Sequence, residues 1–234
     1  MYVYGKNVAK ELIRNNKTIK KAYLINDFKD DEINSFLKSN SINTVFLSKK
    51  ELDKIDDGNH QGIILQVEDY KYLTEKEMIN NLPENPFIVI LDHLEDTHNF
   101  GAIIRTCEAS GVHYIIIPKD RSVKINSTVM KTSVGALDNV KIVMATNLNN
   151  IIKSLKEHGV WVVGTDMEDS LPYDEIDYRV PTALVIGSEG FGMSNLTKKN
   201  CDFIARIPMC GKINSLNASV AAGIMIYEVI RQRK

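Results

Sequence analysis

Three short stretches of the 234-residue chain carry residue types that can do chemistry. The first follows the apolar run TALVI and reads Gly187, Ser188, Glu189, Gly190, Phe191, Gly192, Met193, Ser194. Three glycines this close let a backbone turn sharply and approach a ligand with no Cβ in the way, and Glu189 sets a carboxylate among them. The same run also reads as a plain glycine-rich turn. The second stretch is DTHNFGAIIRTCEASG, in which Asn99 and Arg105 stand six residues apart. Asn99 can cap a helix, and Arg105 would then lie nearly two turns inside it on a different face, so spacing leaves their convergence open. A helix cap and a surface arginine explain the pair as well. The third stretch is IPMCGKINSLNASVAAGIMIYEVIRQRK. Ser215 or Asn217 can cap a last helix whose first half is small-sided at Ala218, Ser219, Ala221, Ala222 and Gly223, which permits close approach of another backbone.

Several familiar chemistries are missing. No strand is followed by G-x-G-x-x-G opening a helix, and no G-x-x-x-x-G-K-[ST] phosphate loop occurs, which disfavours ordinary dinucleotide or ATP binding. Cys107, Cys201 and Cys210 lack the paired spacing of a zinc site and are odd in number, so separate reduced thiols are expected and no metal. The net charge of −1 supplies no global attraction to a polyanion. Any nucleic-acid contact must be local, and the candidate patches are Lys17, Lys20 and Lys21; Lys119, Arg121 and Lys124; Lys198 and Lys199; and Arg231, Arg233 and Lys234. Each also reads as a solvated surface.

The elements that must position these residues fall into two parts. Up to residue 70, KNVAKELIRNN and DEINSFLKSN have helical spacing, whereas KKAYLIND, NTVFLS and IILQVEDY read as strands, giving a small α/β unit. The polar stretch at residues 71–85, with Pro83, is expected to link it to a second domain spanning residues 86–234. There, continuous apolar runs (FIVILDHL, HYIIIP, VKIVMAT, WVVGTD, TALVIG, FIARIP) alternate with helical segments, as in a buried parallel sheet covered on both faces. Ligands of such sheets sit beyond the carboxyl ends of the strands, which points to the loops after Leu91, Val163, Ile186 and Ile207. With 44% hydrophobic and 25% charged residues, no bilayer-length apolar run and no secretory h-region at the start, a cytoplasmic protein without a membrane role is expected.

In this order, NFGAIIRT, ALVIGSEGFGMS and IPMCGKINSLNASVAAG resemble the three motifs of the SpoU family, in the SPOUT class of RNA 2′-O-ribose methyltransferases. The resemblance covers residues 87–234, with one departure: Thr97 and His98 stand where the family usually has a proline-containing DPxN sequence. It implies a parallel-sheet SPOUT fold with a C-terminal trefoil knot and homodimers with the active site near the subunit interface. S-adenosylmethionine would be the cofactor, contacted by Gly187, Ile207 and Leu216 with Thr165 and Gly211 nearby. The catalytic residues carried over are Arg105, Asn99, Glu189, Ser215 and Asn217, with no metal.

Residues 1–70, chiefly through Tyr4, Gly5, His60, Gln61 and Gly62, are similar to the L30e- and L7Ae-like substrate-binding domain of one branch of the family. His60 reads either as a turn residue or as an RNA contact. Members built this way most often methylate a guanosine in the peptidyl-transferase region of 23S rRNA. The alternatives are a tRNA guanosine and a non-catalytic ribosome-assembly protein that keeps the fold.

Overall fold

The structure is a computed structural model describing residues 1–56 and 58–234. The chain forms two compact units, one made of Met1–Lys71 together with Ile125–Lys131, the other of Tyr72–Lys124 and Thr132–Lys234.

The first unit contains β1 (Tyr2–Tyr4), α1 (Lys6–Arg14), β2 (Ile19–Ile25), α2 (Asp31–Ser39), β3 (Thr44–Leu47), α3 (Lys49–Ile55) and β4 (Ile63–Val67). The strands lie in the order β1-β4-β2-β3, with β2 and β3 parallel and β4 antiparallel to both its neighbours. Val8, Ala9 and Leu12 share one face of α1 and pack with Ile33 and Leu37 of α2 against strand residues Ala22, Leu24 and Leu65. Met130, from the distant segment of the unit, packs on the same cluster. Asp30 begins α2 by accepting the Ile33 N–H, and its carboxylate also takes Lys10 at 3.1 Å. Two elements escape the periodicity argument: β1 is three residues long, and α3 buries only Leu52.

Continuing along the chain come α4 (Glu75–Ile79), β5 (Phe87–Asp92), α5 (Thr97–Ala109), β6 (Tyr114–Pro118), α6 (Ser127–Ser133), β7 (Ile142–Ala145), α7 (Leu148–Glu157), β8 (Trp161–Thr165), β9 (Leu171–Pro172), β10 (Thr182–Gly187), α8 (Asn195–Asn200), β11 (Phe203–Arg206) and α9 (Ala218–Arg233). The stretch at 71–85, expected as a linker, instead carries α4, which is held by a Thr74–Glu77 capping box and buries Met78 completely. Leu73 bridges to Val143, so the second unit begins at Tyr72.

All residues of β5 and of β6 are buried, the outcome expected of apolar runs covered on both faces. Seven strands form one parallel sheet in the order β7-β6-β5-β10-β8-β11-β9. One core cluster joins Ile88 and Ile90 of β5, Ile116 of β6 and Val162 of β8 to Leu148, Ile151, Ile152 and Leu155, the apolar stripe of α7. The chain lays β5, β6 and β7 outward, crosses to β8, and only later fills the place between β5 and β8 with β10. That reversal is a topological switch point, where loops leave neighbouring strands in opposite directions and open a crevice. Asp92 and Gly187 face each other in register there. Among the described residues no helix is long and apolar enough to cross a membrane.

Candidate active site

A cavity of about 630 Å³ opens at the carboxyl ends of β8, β10 and β11. Thr165 closes it after β8, Gly187 to Gly192 after β10, Arg206, Ile207 and Met209 after β11, and Asn214 to Ala218 with Ala221 at the start of α9. Its size falls within the range of about 300–1,000 Å³ usual for small-molecule sites.

The loop after β10 explains why glycine recurs there. Ser188 and Gly192 exchange backbone hydrogen bonds of 3.0 Å in both directions, which folds the loop back upon itself. A Cβ on Gly187 would stand 2.3 Å from the Gly192 carbonyl carbon, so no larger residue fits without moving backbone. Gly192 turns at φ +66°, in the left-handed region that side chains disfavour. The far end of the loop is tied down by Asp92, a carboxylate that is 1% exposed at the tip of β5 and accepts the Ser194 N–H at 2.8 Å. Asp92 also bonds the His93 ring. Its presence was signalled only as the single charged residue closing the apolar run FIVILD.

Three expected residues meet at the rim. Asp96, not Asn99, caps α5, accepting the Asn99 N–H at 2.7 Å. This corrects the reading of Asn99 as a cap and frees its side chain, which donates to Glu189 Oε1 at 2.7 Å. Asn217 caps α9, leaving Ser215 outside that role. Its amide nitrogen bridges Glu189 Oε1 at 2.8 Å and Asn99 Oδ1 at 3.0 Å, while its oxygen accepts Ser219 and Val220 N–H. Glu189 thus sits at the N-terminal end of α9, where the helix dipole favours an anion, and its Oε1 accepts from two side-chain amides and, at 3.4 Å, from the Ala218 N–H. Ser215 is exposed on the cavity wall.

Arg105 is apart from this triangle. It is exposed on α5, outside the cavity lining, roughly 9 Å along the axis from Asn99 at the helical rise per residue. It makes no ion pair or hydrogen bond among the described residues. Of the cofactor residues inferred from the resemblance, Thr165, Gly187, Ile207 and Leu216 line the cavity, whereas Gly211 does not. The Thr165 hydroxyl donates to the Val185 carbonyl at 3.0 Å, which leaves its methyl for the cavity.

Several basic residues read as possible phosphate contacts are occupied within the fold. The Arg233 guanidinium donates to the carbonyls of Tyr178 and Val180 at 2.8 and 2.6 Å and lies over the Phe87 ring. Arg231 pairs with buried Glu228, and Lys198 with Asp166. In the first unit, His60 is 6% exposed, with its Nε2 on Asp53 and its Nδ1 accepting the Gly62 N–H, which makes it a turn residue. The three thiols are unpaired, and burial pushes that of Cys201 up to about 12.

Comparison with known proteins gives the same architecture a family. Residues 86–227 match the profile of the SpoU rRNA Methylase family, and residues 2–73 that of the RNA 2′-O ribose methyltransferase substrate-binding domain. A Bacillus subtilis protein named as a TrmH family tRNA/rRNA methyltransferase is 41% identical over 238 residues, covering 99% of this chain and 96% of that one. The crystal structure of the SpoU methyltransferase AviRb from Streptomyces viridochromogenes, in complex with AdoMet, superposes with a TM-score of 0.79 at 22% identity over 100% of this chain and 90% of that one. An AdoMet-bound rRNA methyltransferase from Sinorhizobium meliloti does so at 0.78 and 25% identity, over 98% and 86%. Fold and sequence together define an α/β RNA methyltransferase. The chain belongs to the SpoU family.

Proposed function

We propose that the protein transfers a methyl group from S-adenosylmethionine to a ribose 2′-oxygen of RNA, most specifically of a guanosine in the peptidyl-transferase region of 23S rRNA. The observation that carries this reading is the triangle of Asn99, Glu189 and Asn217 at the mouth of the glycine-walled cavity. The cavity suits the cofactor: Ile207 and Leu216 offer apolar walls to an adenine, backbone groups of the loops offer hydrogen bonds, and the Glu189 carboxylate favours a cation. When bound, S-adenosylmethionine supplies an electrophilic methyl on a sulfonium.

The protein's own task is to place the 2′-hydroxyl and assist loss of its proton. Asn99 has its carbonyl and one amide hydrogen committed, so its second amide hydrogen remains for the ribose. Glu189 holds that amide in orientation, and Asn217 locks both to the start of α9. Ser215, free on the cavity wall, adds a hydroxyl. The Arg105 guanidinium offers N–H donors and no acceptor, so it binds the adjacent phosphate and polarises the hydroxyl rather than acting as a base. In this reading the enzyme is a homodimer with its C-terminal segment threaded as a trefoil knot, residues 1–70 dock the RNA, and no metal takes part. The protein acts in the cytoplasm.

Arg105→Ala is expected to abolish transfer of labelled methyl to RNA from cells lacking this gene, while S-adenosylmethionine binding, read by calorimetry, stays within about twofold. Near-normal turnover would remove Arg105 from the mechanism. Mapping 2′-O-methyl sites in rRNA and tRNA with and without the gene names the target. A site in a tRNA loop would replace 23S rRNA, and cofactor binding with no lost site in either RNA would favour the assembly-protein alternative.

A further inference from the structure

A second cavity of about 630 Å³ lies on the other side of the glycine loop, beyond the carboxyl end of β5. It shares Ser188, Glu189, Phe191 and Gly192 with the first, so the loop is a partition with one face toward each cavity. Three side chains of this second cavity have no structural task. Phe191, at the loop tip, is 94% exposed, an unusual position for a phenyl ring. Glu95 and Arg121, of opposite charge, line the same space, yet neither forms an ion pair or hydrogen bond with the other or with anything else among the described residues.

The backbone holds both charges in place. The Leu94 carbonyl accepts the Val123 N–H at 2.8 Å and the Ser122 hydroxyl at 3.3 Å, which clamps the loop of Arg121 against that of Glu95. His93 and Arg121 both sit at left-handed φ, +59° and +51°, conformations that persist only where the surroundings enforce them. The bond from the His93 ring to buried Asp92 supplies that enforcement for the first.

We infer that this second cavity is the base-reading subsite for the target nucleotide, selecting guanine: Phe191 stacks on the base, Glu95 accepts both donors of the guanine edge, and Arg121 binds a phosphate. The inference rests on the proposed RNA methylation and deepens it. A free carboxylate matches the N1–H and N2–H₂ pair that guanine alone among the RNA bases presents side by side. An exposed aromatic ring supplies the sequence-tolerant platform on which flipped-out bases stack. An unpaired guanidinium beside them completes recognition of an anionic nucleotide.

The test separates the subsite from the chemistry. Guanosine, inosine and adenosine 5′-monophosphates serve as probes for the full-length protein saturated with S-adenosylhomocysteine, with affinities read by NMR titration. Wild type should bind the guanosine nucleotide, lose affinity for the inosine nucleotide, which lacks N2, and bind the adenosine nucleotide weakest. Glu95→Gln should cost about 10- to 100-fold in guanosine-nucleotide affinity and erase the preference. Phe191→Ala should weaken all three by about 10-fold or more and Phe191→Trp restore them. All three residues are exposed, so unchanged melting temperatures are expected of the variants. Equal binding of the three nucleotides by wild type, no binding of any, or an unaltered preference in Glu95→Gln overturns the subsite. Methyl transfer to RNA by wild type is scored separately, and its absence would strike the proposed function and not the subsite.

Discussion

At the scale of single residues, the site depends on what each side chain is excused from doing. Asn99 reaches Glu189 because Asp96 has taken over the helix cap, and Asn217 does both because its oxygen caps while its nitrogen bridges. Spacing alone could not have told these cases apart, since both asparagines precede helices. The glycines differ in the same way. Gly187→Ala should force backbone apart at a 2.3 Å contact, lowering stability by about 1–3 kcal/mol and weakening S-adenosylmethionine binding. Gly211→Ala, where an added Cβ meets nothing within 4 Å, should leave both near wild type. Melting curves and calorimetry on the two variants check the contrast. If they behave alike, the close approach at Gly187 is not what the loop requires.

Elements were legible where they carried a long apolar period. β5, β6, β7, β8, β10 and β11 and the stripe of α7 follow directly from their residues. The two-residue β9, α6 and α8 did not, for they are too short to show an apolar period. The insertion of β10 between β5 and β8 is a long-range pairing that no local pattern encodes, and with it went the second cavity. α9 shows how an element end is anchored. Glu228 is 6% exposed and accepts Arg231 at 2.7 and 2.8 Å and Gln232 at 2.7 Å. These bonds, Arg231 first, hold its carboxyl below the ordinary value of 4.5. A depressed folded pKa means that the unfolded chain binds the proton more readily. The stabilisation is therefore complete above about pH 4.5 and is lost as pH falls through the folded value. Glu228→Gln should cost about 1–2 kcal/mol at pH 7 and flatten the decline of melting temperature as pH falls below the ordinary value of 4.5. A parallel decline in both proteins would assign the acid sensitivity elsewhere.

At the scale of the whole molecule, the first unit is not one continuous piece of chain. Its core includes Met130, and Ile125–Lys131 belongs to it although Tyr72–Lys124 does not. A chain reduced to residues 72–234 should therefore leave the buried Val129 and its neighbours without the unit they belong to. Limited proteolysis is expected to cut such a fragment within residues 125–131 while sparing that stretch in the full protein. Equal resistance would show that the segment needs no partner. The same discontinuity sets an order of events during synthesis. A ribosome adding about 5–20 residues per second needs roughly 3–12 s to go from Lys71 to Lys131. For that interval the nascent front of the protein waits unfinished, its completion postponed until the start of the methyltransferase sheet has already emerged.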